Sequence, residues 1–137
     1  MRIALVHNLP SGGAKRHTFE QVKELARRGH WVEEFTLSTA DATFLPLRDY
    51  VRSVHVHSLN WRTLRPVSIP GAGPYVHLWQ NAVNLRRLSV VSRVQADGIN
   101  GQSFDVVLAK DCMFTVAPFV LRYLATPSVF QAHSLPA

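Results

Sequence analysis

The segment RIALVHNLPSGGAKRHTFEQVKELARRGH, residues 2–30, decides the fold. Its first six residues are mostly apolar, as in a strand that is buried on both faces of a parallel sheet. A turn with one proline and two glycines follows. Apolar residues then recur at helical spacing up to Gly29, at Phe19, Val22, Leu25 and Ala26. A strand, a glycine turn and a helix N-terminus in this order can bind an anion.

The rest of the chain continues the alternation of strands and helices. We expect strands at 30–37, 50–59, 104–109 and 127–132, and helices at 75–96 and 115–124. This order predicts the α/β class: one Rossmann-like domain over residues 1–137, with a mainly parallel sheet of about five strands in the order 3-2-1-4-5 and helices on both faces. The second helix is expected to bury Leu78, Trp79, Ala82, Leu85, Leu88 and Val91.

Composition limits the partners and the compartment. The formal net charge of +6 and the pI near 10.3 favour phosphates, nucleic acid or an anionic membrane surface. Nucleic acid is disfavoured because no recognised module or aromatic-basic stripe occurs. Cys112 is the only cysteine, so no internal disulfide forms. The apolar start is too short for a secretory segment or a membrane span, and we expect a cytoplasmic protein.

The topology predicts where a ligand binds. In an open α/β sheet, ligands lie beyond the carboxyl ends of the strands, where the strand order reverses. We therefore expect the loop after strand one (7–13) to lie beside the loop after strand four (110–114). His133, just past strand five, falls on the same edge.

The glycine turn is the candidate anion site at this edge. Gly12 and Gly13 let a ligand approach the backbone, and Lys15 and Arg16 add positive charge in the first helical turn. The alternative is a plain strand-to-helix turn that uses glycine for tight packing. The motif SGGAKR matches neither G-x-x-x-x-G-K-[ST] nor G-x-G-x-x-G, which disfavours a P-loop kinase and a nicotinamide dehydrogenase.

Two segments carry a family resemblance: MRIALVHNLPSGGAKRHTFEQVKELARRGHWVEEFT and FDVVLAKDCMFTVAPFVLRYLATPSVFQAHSLP. They resemble the N-terminal domain of family 4 glycosyltransferases, the retaining GT-B class that uses nucleotide-sugar donors. The G-G-A-x-R pattern, the R-R-G-H before strand two and the histidine after strand five carry the resemblance. It implies one half of a GT-B architecture, with a sugar or a lipid-linked molecule as acceptor and no cofactor.

The resemblance also assigns residues. It implies that Gly12 and Gly13 lie against the donor diphosphate and the acceptor, that Arg16 is the basic residue that follows them, and that His133 contacts the transferred sugar near the reacting centre. Lys15 departs from the family, which often has Glu there. The second Rossmann-like half, which holds the nucleotide and a glutamate pair, has no counterpart here, so we expect a truncated, inactive half that needs this partner in cis or in trans.

Several other residues have two interpretations. Asp111 either binds a sugar hydroxyl or caps a helix that begins near Thr115. His7 either lines the crevice or is a buried, satisfied histidine. Cys112 either pairs with His133 as a nucleophile or is a small buried thiol.

The middle of the chain has further candidates. His55 and His57 share one face of a strand, as a metal site requires, but no third ligand is evident. Trp61, Arg62 and Arg65 fit either contact with an anionic membrane or a solvated acceptor loop. An uncovered fifth strand predicts self-association. The alternative function is a non-catalytic Rossmann-like binding module for a phosphorylated ligand.

Overall fold

The computed structural model describes residues 1–63 and 70–133. The elements, in chain order, are β1 (Arg2–Asn8), α1 (Gly13–Arg27), β2 (Trp31–Leu37), β3 (Ser53–His57), α2 (Gly73–Asn100), β4 (Val106–Cys112), a short 3₁₀ helix (Phe119–Arg122) and β5 (Ser128–Gln131). The five strands form one sheet in the order β3-β2-β1-β4-β5, and every neighbouring pair is parallel. The predicted fold class and strand order are confirmed.

The two long helices cover opposite faces of the sheet, as predicted. Alternate residues of β1 point to opposite faces. Ile3 and Leu5 pack with Val22 of α1 in one apolar cluster. Ala4 and Val6 pack in another cluster with residues of α2, among them Ile99. Burial on both faces explains why residues 3–6 of β1 are all apolar.

The buried face of α2 differs from the predicted one. Leu78 and Trp79 are 69% and 70% exposed. Asn84 is buried instead, because its side-chain amide donates to the carbonyl of Arg62 at 2.7 Å and accepts the N–H of the same residue at 3.1 Å. The residues of α2 that are buried are Asn84, Leu88, Ser92, Gln95, Ala96 and Ile99. The expectation was wrong for Leu78, Trp79, Ala82 and Leu85, which are all exposed, because tertiary contacts and not the apolar periodicity select the buried face. Leu88 is buried as expected.

Several element boundaries also differ from expectation, among them that of β3, which spans only Ser53–His57. The second helix continues through Gly98 to Asn100, because Ile99 is fully buried in the core. The helix expected at 115–124 is only the four-residue 3₁₀ turn, preceded by Pro118 in an extended conformation. Strand β4 ends at Cys112, three residues later than predicted. Lys110 and Asp111 therefore lie in the strand and not in the loop.

Strand β5 lies at one edge of the sheet and pairs with β4. Val129 and Phe130 are 56% and 37% exposed. The position of β5 at the edge is as expected, and self-association through it stays a prediction. Within the described ranges, no helix is long and apolar enough to cross a membrane. The cytoplasmic location stays a prediction.

Candidate functional site

A crevice lies at the carboxyl edge of the sheet, where the loops after β1, β4 and β5 meet. Its volume is about 600 Å³. It is lined by Leu9, Pro10 and Ala14 on one side and by residues 111–116 and His133 on the others. The three loops that the topology was expected to bring together do converge, at the switch point where α/β sheets bind ligands.

His133 is held in this crevice by residues of β4 and α1. Its backbone N–H donates to Asp111 Oδ2 at 2.8 Å. Its ring Nε2 lies 3.0 Å from Nδ1 of His17, and the two rings meet edge to face. Because His17 lies one helical turn after Gly13, the contact ties the candidate catalytic histidine to the start of α1. Sequence reasoning missed His17, although its spacing of four residues from Gly13 placed it on the same side of the helix.

The protonation state of His133 follows from its surroundings. Burial lowers the pKa of its imidazole, and the positive charge of Lys110 lowers it further, while Asp111 opposes both. The ring is therefore neutral near pH 7. A neutral imidazole carries one N–H donor and one acceptor nitrogen. His133 can thus exchange hydrogen bonds with a hydroxyl without adding charge to the crevice.

The glycine bend beside the crevice is unobstructed. Helix α1 begins at Gly13, and Gly12 precedes it at φ +146°, a backbone conformation that favours glycine. Among the described residues, no heavy atom lies within 4 Å of the position that a Cβ would take on either glycine. The first turn has no side-chain cap and no acidic residue. As at any helix N-terminus, its first N–H groups have no partner within the helix and carry a partial positive charge.

The two basic residues after the bend lie in different environments. Arg16 is exposed on the solvent side of α1. Lys15 is only 2% exposed and lies in a second cavity on the α1 face of the sheet, together with His7 and Glu34. Consecutive residues of an α-helix are about 100° apart around its axis, and here the two side chains point in different directions. The structure does not bring Lys15 to the crevice, and its expected place there needs correction.

His7 also lies outside the crevice. It is a buried histidine whose Nε2 lies 2.7 Å from Glu34 Oε1. Burial lowers the pKa of the His7 imidazole, with the hydrogen bond to Glu34 opposing that change. The neutral ring therefore donates its Nε2–H to the Glu34 carboxylate.

Lys110 is a fully buried lysine of β4 that sequence analysis placed in a loop. Its Nζ donates to the side-chain carbonyls of Gln21 and Gln131, so it links β4 with α1 and β5. Burial lowers the pKa of Lys110 to about 8, and the nearby Asp111 carboxylate opposes the shift.

Asp111 and Cys112, two further candidates on β4, both lie at the crevice. Asp111 lines the crevice and accepts from His133, and no helix begins at Thr115 within residues 70–133 for it to cap. Cys112 is buried and lines the same crevice, with Sγ 3.7 Å from Asn8 Nδ2. A nucleophilic pair of Cys112 and His133 stays a prediction.

The histidines of β3 do share a face, as expected. Both rings stack near Phe35, His55 at 4.4 Å and His57 at 6.5 Å between centroids. His55 also lies 3.1 Å from Glu33 Oε2. In the described part of the chain, no group of three or more His, Cys, Asp or Glu side chains could hold a metal ion.

Trp61 connects the middle of the chain to the crevice, because its ring stacks on Phe114 with centroids 3.7 Å apart. Arg62 follows it on the exposed side, and Arg65 lies outside the described residues. Contact of this region with an anionic membrane stays a prediction.

Comparisons with known proteins show the fold. No family model matches the chain, and no curated protein does. Two crystal structures of the C-terminal domain of a hydrogenase from Pyrococcus furiosus match with a TM-score of 0.54 at 14% and 13% identity, covering 95% of this chain and 90% of those. The calicheamicin glycosyltransferase CalG4 matches with a TM-score of 0.52 at 19% identity, covering 98% of this chain and 33% of that one.

These neighbours, at 13% to 19% identity, show the fold of the chain. The chain has a Rossmann-like α/β fold that resembles a domain of a GT-B glycosyltransferase, and it spans one third of CalG4. The same fold occurs in a hydrogenase domain of similar length. Fold alone does not choose between such functions, so the function must come from the site.

Proposed function

We propose that this chain is the acceptor-side half of a retaining glycosyltransferase, which moves a sugar from a nucleotide-sugar donor to a sugar or lipid-linked acceptor. One observation carries the proposal: the open bend at Gly12 and Gly13 and the ring of His133 flank the same crevice, joined by the His17 contact. An anion-receiving helix end next to a neutral hydrogen-bonding imidazole suits a donor that has a diphosphate on one side of the breaking bond and a sugar on the other.

Each part has a chemical role in this proposal. The leaving nucleoside diphosphate gains negative charge as the glycosidic bond breaks, and preorganised N–H groups with a nearby cation stabilise that charge. The amides of the bend and the exposed guanidinium of Arg16 are these groups. His133 orients the sugar through its hydroxyls, and Asp111 fixes the backbone of His133. Turnover requires a second Rossmann-like half that binds the nucleotide, in cis or in trans.

Titration with uridine diphosphate tests the anion site directly. We expect chemical-shift changes at the amides of residues 12–17 in NMR spectra of the ¹⁵N-labelled chain. Arg16→Gln removes one charge-assisted hydrogen bond and should weaken binding about tenfold or more. Lys23→Gln is the matched control, because it removes the same charge from an exposed position of the same helix. If both variants weaken uridine diphosphate binding equally, the attraction is a general effect of charge, and a specific anion site at the glycine bend is contradicted.

The coding sequence after residue 137 tests the enzymatic part of the proposal. A second Rossmann-like half with a glutamate pair, in frame or in a neighbouring gene, is the expected finding. When that half is combined with this chain, His133→Ala should abolish sugar transfer while uridine diphosphate still binds. An unrelated neighbour, or transfer that persists in His133→Ala, would contradict the assignment.

A non-catalytic binding module for a phosphorylated ligand is the second candidate. It is favoured by the likeness to the hydrogenase domain, which matches over 90% of its length and shows that this fold also serves outside sugar transfer. It predicts anion binding at the bend with no requirement for His133. Sugar transfer by the combined halves would eliminate it.

A further inference from the structure

A second cavity lies on the α1 face of the sheet, between the first turn of α1 and the loop 38–48. We call it the Lys15 cavity. Its volume is about 160 Å³. Most of its wall is apolar, with Leu47, Val54 and Val56 among the residues that line it. Among the described residues, no side chain lines both this cavity and the crevice. A ligand bound here would therefore be distinct from the donor and the sugar of the proposed reaction.

The amine of Lys15 in this cavity lacks a close acceptor. The residue is only 2% exposed, and its Nζ is not among the fully shielded side-chain atoms that lack a partner, so the remaining exposure includes the amine. In residues 1–63 and 70–133, no hydrogen bond or ion pair to its Nζ is formed within normal contact distance. An ammonium group has three donors, and burial without acceptors costs free energy. The buried amine is aimed into a cavity that has room for an acceptor from outside.

The nearby carboxylates are already engaged. Glu34 accepts from the ring of His7 at 2.7 Å. Asp41 accepts from the backbone and hydroxyl of Thr43 at 2.8 and 2.7 Å, and from the N–H of Phe44 at 3.2 Å. Burial lowers the pKa of Lys15, and the charges of Glu34 and Asp41 only oppose that shift. They attract Lys15 from a distance and do not satisfy its donors.

We propose that the Lys15 cavity binds a small monocarboxylate with an apolar body of about one ring, its carboxylate on Lys15 and its body against the apolar wall. A cavity of about 150 Å³ holds a single benzene ring, so the volume suits such a body. Arg48 at the lining adds a second cation, while the carboxylates of Glu34 and Asp41 offset both. The four charges cancel, and repulsion by the two carboxylates favours a single negative charge over a phosphate dianion.

Three ligands of one shape and different charge test this proposal: benzoate, benzyl alcohol and benzylamine, titrated into the ¹⁵N-labelled chain. Benzoate should bind more tightly than the other two and shift the amides of Lys15 and of residues 38–48. Lys15→Met keeps the length and apolar character of the side chain but removes the charge. It should weaken benzoate binding about tenfold or more and leave benzyl alcohol unchanged. Lys23→Met, on the exposed side of α1, should change neither.

A second variant tests the contribution of the cavity space separately from that of the Lys15 charge. Ala40→Phe places a ring in the cavity and leaves Lys15 in place, so it should abolish binding of benzoate and of benzyl alcohol. The proposal is overturned if benzoate fails to bind the wild-type chain, if Lys15→Met binds it equally well, or if benzylamine binds as tightly. Because uridine diphosphate is expected at the glycine bend, its binding should persist in Ala40→Phe. The proposal for the Lys15 cavity and the proposal for the glycine bend can therefore be contradicted independently of each other.

Discussion

The crevice and the Lys15 cavity flank the same central strand and draw on the same first turns of α1, but they treat their polar groups differently. In the crevice, Nε2 of the His133 ring and the His133 backbone N–H both have partners, on His17 and Asp111, while Nδ1 of the same ring is buried without a hydrogen bond. In the Lys15 cavity, a nearly fully buried amine faces apolar walls without a close acceptor. The first arrangement holds a side chain in position before any ligand arrives. The second leaves a donor that a ligand must satisfy.

This difference arises from helix geometry. A rotation of about 100° per residue sends Arg16 to solvent and Lys15 beneath the helix, although the two residues are adjacent and have the same charge. A basic pair at the start of a helix therefore need not form one anion site. Substitutions that change one cavity and leave the other intact test whether the crevice and the Lys15 cavity are independent.

The largest effect is expected from the strand that both cavities share. Leu5 is fully buried on β1 in the cluster beneath α1. Leu5→Ala should lower the free energy of unfolding by about 2–5 kcal/mol, because it removes buried methyl groups and leaves a void. Urea denaturation measures this, with Val90→Ala on the exposed side of α2 as the control, expected within about 0.5 kcal/mol of wild type. A loss below about 1 kcal/mol would contradict the tight packing of β1.

The second largest effect is expected at Lys15, in contrast to the adjacent Arg16. Lys15→Met removes a buried amine that lacks an acceptor and should raise the free energy of unfolding by about 1–3 kcal/mol. Arg16→Met removes an exposed charge and should change it by less than about 0.5 kcal/mol. The comparison is made by urea denaturation at pH 7. A loss of stability in Lys15→Met would show that the amine has a stabilising partner.

A pH-dependent effect is expected from Lys110, the fully buried lysine of β4. Its pKa is lowered to about 8 in the folded chain from a usual value of 10.5, so between these pH values the unfolded chain binds more protons. The free energy of unfolding of wild type, relative to Lys110→Met, should therefore rise as the pH increases from about 8 to about 10.5. The slope should not exceed about 1.4 kcal/mol per pH unit. A flat difference across this window would contradict the lowered pKa.

The smallest effects are expected at the glycine bend. Gly12→Ala must place a side chain at φ +146° and should lower the free energy of unfolding by about 1 kcal/mol. Gly13→Ala lies at the first helical position with open space around its Cβ and should raise it by about 0.4–1 kcal/mol. Thermal denaturation of the two variants makes the comparison. Similar shifts of the melting temperature in both variants would show that the backbone conformation at residue 12 does not require glycine.

The sequence predicted the crevice better than it predicted the charges around it. Strand β1 and helix α1 have unambiguous periodicity, and parallel topology then brings their loops to one edge with His133. The burial of Lys15 had a signal too, since Lys15, Thr18 and Val22 share one helical face. The residue type argued against burial of Lys15 on that face, because lysine is almost never fully buried without a partner.

Other errors came from long-range contacts. The first turns of α2 have apolar residues at helical spacing, but Leu78 and Trp79 remain exposed, while Asn84 is buried by its two hydrogen bonds to Arg62. No local pattern predicts a pairing across 22 residues. His17 and Lys110 were missed for the same reason, because their partners lie far away in the sequence.

The sequence by itself determined the order of the elements, the parallel sheet and the position of the glycine bend, because these depend on local periodicity and on the handedness of the chain connections. The tertiary structure alone decided which lysine is buried, which imidazole has partners and where each helix face packs. These properties depend on atoms brought together from distant parts of the chain, and their free energies are set by burial and by the presence or absence of a hydrogen-bond partner.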